Sequence, residues 1–192
     1  FKPGTMESFG LDYSSLQSLD KSIIYLSISG FGHDSNSPYT DWPAFAPIAE
    51  AMSGLYTFNR PSEEELKVSP AGALGDTGTG LFGVIAILAA LRYRETTGKG
   101  QYIDLSMLDS MVAFADIVPN YFSMGHDPRT PSPLINHGFK IMKGEIVIQI
   151  GREHQFNQFA ELLGKEQWLD DPRFTSREGW VQNIEPLRET VH

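Results

Sequence analysis

A glycine-rich turn that runs directly into an apolar helix places the strongest constraint on the fold of this chain. Residues 71–80 contain four glycines and one acid, Asp76, and the apolar run at residues 81–91 follows without a break. Glycine lets the backbone bend sharply and lie close to another group. The pattern predicts a packed helix at residues 77–94, with Asp76 at its start.

Asp76 has two interpretations at the start of a helix. Its carboxylate can accept from free backbone N–H groups and interact with the positive end of the helix dipole, which makes it a good N-cap. Both effects favour the ionised form, and an exposed ionised carboxylate in a rigid turn can also act as a nucleophile. The local pattern favours the plain cap, since most caps do no chemistry.

Composition excludes several classes of function. The chain has 192 residues, a net charge of -9 and no cysteine. The negative charge argues against nucleic acid or an anionic membrane surface as a partner. Without cysteine there is no disulfide framework, thiolate catalysis or thiolate metal site. The longest apolar run is 11 residues, and a membrane span needs roughly 20, so we expect a buried helix.

The order of predicted elements indicates an α/β protein. Residues 23–29 form an almost continuous apolar, β-branched run, typical of a strand buried on both faces. The other predicted elements are short helices at 5–10 and 12–19, helices at 44–55, 77–94, 107–122 and 152–163, a helix that resumes near 184, a strand at 101–106 and a hairpin across residues 143–144. We predict a large α/β domain at 1–123, a linker at 124–138 and a small α+β domain at 139–192.

The remaining motifs have ordinary explanations. Five histidines are scattered without metal-ligand spacing, so we predict no metal site. The glycines at 78, 80 and 83 match a dinucleotide fingerprint but follow no apolar strand, and close helix packing explains them. The turn at residues 97–100 can hold an anion in its amides or simply connect a helix to a strand, which is the favoured interpretation.

Several motifs in one order resemble the class III CoA-transferases, the family of the formyl-CoA, carnitine, succinyl-CoA and mesaconyl-CoA transferases. Each motif is weak alone, but together they cover nearly the whole chain. They are FKPGTMESFGLDY at 1–13, IIYLSISGFG at 23–32, AMSGL at 51–55, GDTGTGL at 75–81, TGKGQYIDLS at 97–106 and DDPRF at 170–174.

The resemblance implies a mechanism and a fold. It implies that Asp76 attacks an acyl-CoA, giving an acyl–aspartyl anhydride and then an aspartyl-CoA thioester, before a carboxylic acid acceptor takes the CoA. It implies a Rossmann-like domain with a smaller α+β domain, in interlocked dimers, and no metal. By the same resemblance the residues that contact CoA are Phe1, Lys2, Thr5, Thr40 and Asp41.

The chain departs from the family at several positions. Ser8 replaces a basic residue, Ala44, Phe45 and Ala46 replace the usual Gly-Tyr-Asp, and Lys143 replaces an acid before Gly144. An α-methylacyl-CoA racemase is an alternative, but it pairs its Asp with a His where this chain has Phe45, which cannot move a proton. A non-catalytic paralogue with Asp76 as a cap is the other alternative.

The ends of the chain suggest a piece of a longer protein. The sequence starts at Phe1 and its last residues are typical of a helix cut short, and the N-terminal part of the family's large domain has no counterpart here. We therefore expect this piece alone to bind CoA incompletely and to be inactive. Its expected partner is a second copy in an interlocked homodimer, or the remainder of its own chain. The predicted location is the cytoplasm, or the mitochondrial matrix in a eukaryote.

Overall fold

The computed structural model describes residues 3–33, 37–57, 72–127, 129 and 134–191. The chain divides into two compact units, Phe1–Thr130 and Pro131–His192. Each unit has α-helices and β-strands, which confirms the predicted α/β class. The domain and linker boundaries at 123 and 138 stay predictions.

The first unit is built around a pair of parallel strands. Strand β1 (Ile24–Ser29) pairs with β2 (Gln101–Ser106) along its whole length, close to the predicted ranges. Parallel neighbours need a long crossover, and here the chain between the strands supplies two helices. The expectation that β1 is buried on both faces is wrong for the described residues, since Ile28 is 40% exposed and the rest of the strand is half-buried.

Six helices accompany this sheet in the described part of the first unit. They are α1 (Thr5–Ser8), α2 (Tyr13–Leu19), α3 (Ala46–Met52), α4 (Leu74–Thr97), α5 (Met107–Ala115) and α6 (Ile117–Ser123). The predicted single helix at 107–122 is interrupted at Asp116, whose φ is 27°. Pro119 explains the break, because it has no N–H to donate to the carbonyl four residues earlier.

Helix α4 is the crossover helix, and it approaches its neighbours through glycines. A Cβ on Gly83 would lie 3.0 Å from Leu26 Cδ2 on β1, and a Cβ on Gly78 would lie 2.6 Å from the Phe114 ring on α5. The glycines therefore permit close packing of α4 on the sheet and on α5. This outcome supports the packing interpretation of the glycine motif over a dinucleotide site.

Four large apolar side chains of α4 are exposed. Leu81, Val84, Ile85 and Leu88 are 56–63% exposed, while the buried residues of the helix are Gly75, Gly78, Thr79, Gly83 and Ala90. The expectation that the apolar run is buried is therefore wrong for this chain alone. By length and composition α4 (24 residues, mean hydropathy 1.7) could also cross a membrane, although core helices of soluble proteins pass the same test.

The second unit is an antiparallel hairpin with short helices. Strand β3 (Ile135–Ile141) pairs with β4 (Gly144–Ile150), which confirms the predicted hairpin. Helices α7 (Glu153–Leu162), α8 (Arg177–Gln182) and α9 (Ile184–Val191) follow, with a 3₁₀ turn at Glu166–Leu169. The buried core consists of Ile135, Phe139, Ile150, Phe156, Ala160, Trp168, Phe174, Trp180 and Leu187.

Candidate active site

Asp76 lies inside the first turn of α4. The helix begins at Leu74 and its N-cap is Ala73, which has no side chain able to cap. Asp76 is therefore the third helical residue, and the interpretation of Asp76 as the N-cap is wrong. The helix starts earlier than predicted because Gly75, a residue that does not predict a helix start in a sequence, is held there by contacts with α3.

The carboxylate of Asp76 is exposed and is not used to stabilise the described structure. Within the described part of the chain it has no hydrogen bond or ion pair. The backbone N–H of Asp76 also has no acceptor there, although Thr77 N donates to Ala73 O at 3.0 Å. The first turn thus presents a free carboxylate and a free N–H at the positive end of a long helix.

Gly75, the residue before Asp76, is clamped against α3. A Cβ at this position would lie 2.9 Å from Ala46 Cα and 3.1 Å from Ala46 O. The Gly75 carbonyl also accepts from the buried Thr79 hydroxyl at 2.6 Å. The peptide that leads into Asp76 is therefore fixed by packing and by a hydrogen bond.

Glu50, at the end of α3, supplies the cap that Ala73 lacks. Its Oε1 accepts from the Gly75 N–H at 2.8 Å, its Oε2 accepts from the Tyr56 hydroxyl, and the side chain is fully buried. Sequence analysis missed this residue, because Glu50 is 25 residues from Gly75 and no local pattern joins them. The available signal was the single acid, Glu50, in an otherwise apolar helix.

The structure describes three of the five residues predicted to contact CoA. Phe1 and Lys2 lie outside the described residues. Thr5 begins α1 and is half-buried, Asp41 is exposed, and Thr40 is half-buried with its hydroxyl donating to Ser37 O at 2.9 Å. Their role in binding CoA stays a prediction.

Two cavities lie beside these segments. A cavity of about 290 Å³ is lined in part by Pro3, Thr40, Trp42 and Ala44, so the start of the chain and the Thr40 segment meet there. Among the residues that line the described cavities Asp76 does not occur. The cavity and Asp76 are connected through the chain, because Ala44 lines the cavity and Ala46 packs on Gly75, the residue before Asp76.

The second cavity, of about 570 Å³, has an acidic wall. Glu7 and Asp12 line it together with Tyr25 and other residues. Hydrogen bonds from Ser14 and Ser15 hold the pKa of the Asp12 carboxyl well below its usual range, so Asp12 stays anionic at any ordinary pH. Like charges repel, and phosphate groups of a ligand would therefore avoid this wall.

Phe45 stands in the sequence between Ala44, which lines the smaller cavity, and Ala46, which packs on Gly75. It is the N-cap residue of α3, and its side chain is 77% exposed. It offers no group that can accept or donate a proton.

The turn after α4 and the metal-ligating side chains provide no further binding site within the described residues. In the turn after α4 the amides of Gly98, Lys99 and Gly100 donate to Arg94 O, Thr97 Oγ1 and Lys21 O, which supports an ordinary turn over an anion site. Among the residues that the structure describes, no group of three or more His, Cys, Asp or Glu side chains is arranged for a metal ion.

The clamp at Gly75 gives a test of this geometry. Gly75→Ala is expected to lower the free energy of unfolding by about 1–3 kcal/mol, because the new methyl group overlaps the backbone of Ala46. Gly80→Ala on the same helix is the control: nothing lies within 4 Å of its Cβ, and we expect stabilisation of up to about 1 kcal/mol. Denaturant unfolding of both variants checks the prediction, and equal effects would contradict it.

Comparison with known proteins identifies the family of this chain. The family model described as CoA-transferase family III matches residues 1–192. The chain belongs to this family.

Individual relatives are similar across the chain. It is 31% identical to a succinate–glutarate CoA-transferase of Agrobacterium fabrum, covering 100% of this chain and 48% of the relative. It is 32% identical to the mouse (Mus musculus) succinyl-CoA:glutarate CoA-transferase, covering 97% and 44%. A crystal structure of a CAIB/BAIF family protein from Brucella suis has a TM-score of 0.79 and 32% identity over 100% of this chain and 51% of that one. The chain thus spans about half the length of these relatives.

Proposed function

We propose that the protein containing this chain transfers CoA from an acyl-CoA donor to a carboxylic acid acceptor, with Asp76 as the nucleophile. The observation that carries this proposal is a carboxylate in the first turn of α4 that is exposed and has no hydrogen bond within the described residues. A carboxylate that is not engaged elsewhere keeps its lone pairs for attack on a thioester.

The reaction follows from two exchanges at this carboxylate. An oxygen of Asp76 attacks the thioester carbonyl, the C–S bond breaks, and CoA leaves as a thiolate with an acyl–aspartyl anhydride remaining. The thiolate then attacks the aspartyl carbonyl and expels the donor acid, which gives an aspartyl-CoA thioester. The acceptor carboxylate then attacks the aspartyl carbonyl of this thioester, which releases the CoA thiolate and leaves an acceptor–aspartyl anhydride. The thiolate attacks the acceptor's carbonyl in this anhydride, so that a new acyl-CoA leaves and Asp76 is regenerated.

The first turn of α4 also supports the transition states of these steps. Each attack builds negative charge on a carbonyl oxygen, and a fixed N–H donor stabilises that charge. The N–H of Asp76 has no acceptor within the described residues, and the helix dipole adds a positive potential there. The turn therefore suits an anionic intermediate.

The relatives suggest the class of substrate. Their names include succinate–glutarate, acetyl-CoA:oxalate and succinyl-CoA:mesaconate CoA-transferases. We propose a small dicarboxylic acid as the acceptor and a CoA thioester of such an acid as the donor. Phe1, Lys2, Thr5, Thr40 and Asp41 are the proposed contacts to CoA, and the cavity that Thr40 lines supports Thr40 among them.

A racemase is the weaker alternative. It needs a second acid or base opposite Asp76, and Phe45 at that position is an exposed aromatic ring. A non-catalytic role, in which Asp76 only supports the first turn of α4, is less favoured, because the N-cap is Ala73 and the Asp76 carboxylate has no hydrogen bond within the described residues. CoA transfer needs neither a second acid or base opposite Asp76 nor a capping role for Asp76.

The exposed stripe of apolar side chains on α4 supports the proposal that a partner covers this surface. Four large apolar side chains at helical spacing, Leu81, Val84, Ile85 and Leu88, are more than half exposed. A stripe of this kind marks an interaction surface. We propose that a second copy, interlocked with the first, or other sequence of the same protein covers it.

An exchange assay tests the proposed function. The protein in its native form is mixed with succinyl-CoA or formyl-CoA and a panel of small dicarboxylic acids, and new CoA thioesters are followed by chromatography. We expect a new thioester with at least one dicarboxylic acid and no requirement for added energy. Exchange of the α-proton of a 2-methylacyl-CoA without CoA transfer would instead indicate the racemase.

A further inference from the structure

Glu50 is a buried acid to which the proposed reaction assigns no role. Among the described residues it is the one charged side chain in the buried class, with 0% exposure. An acid in such a place is stabilised only if its oxygens have partners. Both have one: Oε1 accepts from the Gly75 N–H at 2.8 Å and Oε2 accepts from the Tyr56 hydroxyl.

The partner of Oε1 is one residue away from the proposed nucleophile. The Gly75 N–H is one of the N-terminal amides of α4 that no helical carbonyl can satisfy. Ala73 cannot cap it, so the cap comes from α3. The same Gly75 is held by the Thr79 hydroxyl at its carbonyl and by Ala46 against its Cα.

We propose that Glu50 is a positioning residue that fixes the direction of the Asp76 side chain. Three contacts hold Gly75, and the Glu50 hydrogen bond is the one that orients the Leu74–Gly75 peptide unit through the Gly75 N–H. Without it the first turn of α4 can unwind, and the carboxylate and the free N–H of Asp76 no longer keep their relative geometry. The inference rests on the proposed function of Asp76.

Two variants of similar volume separate positioning from packing. Glu50→Gln keeps an oxygen that accepts from the Gly75 N–H, and its amide can pair with the Tyr56 oxygen. Glu50→Leu fills the same space without an acceptor. We expect Glu50→Gln to keep kcat within about threefold and Glu50→Leu to lower kcat roughly 10- to 100-fold, with KM for the CoA donor within about threefold.

A neighbouring variant controls for simple loss of stability. The Ser53 hydroxyl donates to the Glu50 backbone carbonyl at 2.8 Å, so Ser53→Ala removes a buried hydrogen bond of the same segment and leaves the carboxylate in place. We expect a lower melting temperature with unchanged kcat. All rates refer to the folded fraction, measured by circular dichroism. If Glu50→Leu does not fold, the double variant Glu50→Leu/Tyr56→Phe, which also removes the Tyr56 hydroxyl, replaces it.

The outcomes distinguish this inference from the proposed function. Asp76→Ala is measured in parallel with the native protein. If Asp76→Ala is inactive while folded Glu50→Leu has the native kcat, or while Glu50→Gln is as slow as Glu50→Leu, the positioning role is wrong and the nucleophile stands. If Asp76→Ala turns over normally, the proposed function itself fails.

Discussion

Replacing Asp76 with alanine is expected to lower CoA transfer by a factor on the order of 10,000 or more, the scale of loss when an enzyme loses its nucleophile. The folded state should be unaffected, because the side chain is exposed and has no hydrogen bond within the described residues. Surface substitutions of this kind change the free energy of unfolding by about 0.5 kcal/mol or less. Steady-state kinetics and thermal unfolding measure the two effects.

Asp109 provides a matched control for this substitution. It is also an exposed aspartate at the third residue of a helix, since α5 has its N-cap at Ser106 and begins at Met107. Asp109→Ala removes the same charge from the same helical position. We expect full transfer activity, and an equal loss in both variants would show that helix electrostatics, rather than a nucleophile, explains the effect.

Replacing Trp180 with alanine is expected to destabilise the second unit by about 4 kcal/mol. The indole is 2% exposed, stacks on Phe156 with ring centroids 4.7 Å apart, and donates from Nε1 to Phe174 O at 2.6 Å. The substitution leaves a cavity and an unpaired carbonyl together. A loss of this size approaches the whole stability of a small domain.

Trp42 is the control for this second substitution. It is 60% exposed, so Trp42→Ala should lower the free energy of unfolding by about 1 kcal/mol or less. Thermal unfolding and limited proteolysis of both variants measure the difference. If the two variants melt at the same temperature, the stacked core of the second unit does not have the assigned role.

Helices and strands could be predicted from the sequence where the local pattern and the tertiary packing favour the same structure. Strand β2 matches its predicted range, and α2 begins after Asp12, whose carboxylate accepts from Ser15 N at 3.0 Å as a cap should. The end of α4 is also local, since Gly98 takes a φ of 70° that glycine adopts readily. These features depend on neighbouring residues alone.

The sequence failed where distant contacts decide the structure. Helix α4 starts at Leu74 because Glu50 caps it from another helix, and no helix-start signal records that contact. The burial of β1 and of the apolar run in α4 depends on what packs against them, and Ile85 is 63% exposed in the chain alone. The candidate nucleophile could be named from the sequence, but its cap, its free N–H and the clamp on Gly75 could not.

Trapping the covalent intermediate tests the central claim most directly. The native protein is mixed with the acyl-CoA donor, quenched with hydroxylamine, digested and examined by tandem mass spectrometry. In the aspartyl-CoA thioester, hydroxylamine attacks the aspartyl carbonyl and displaces the CoA thiolate, so we predict a hydroxamate on Asp76 that requires the donor. Active turnover that leaves Asp76 unmodified, or places the hydroxamate on another carboxylate, would contradict the account.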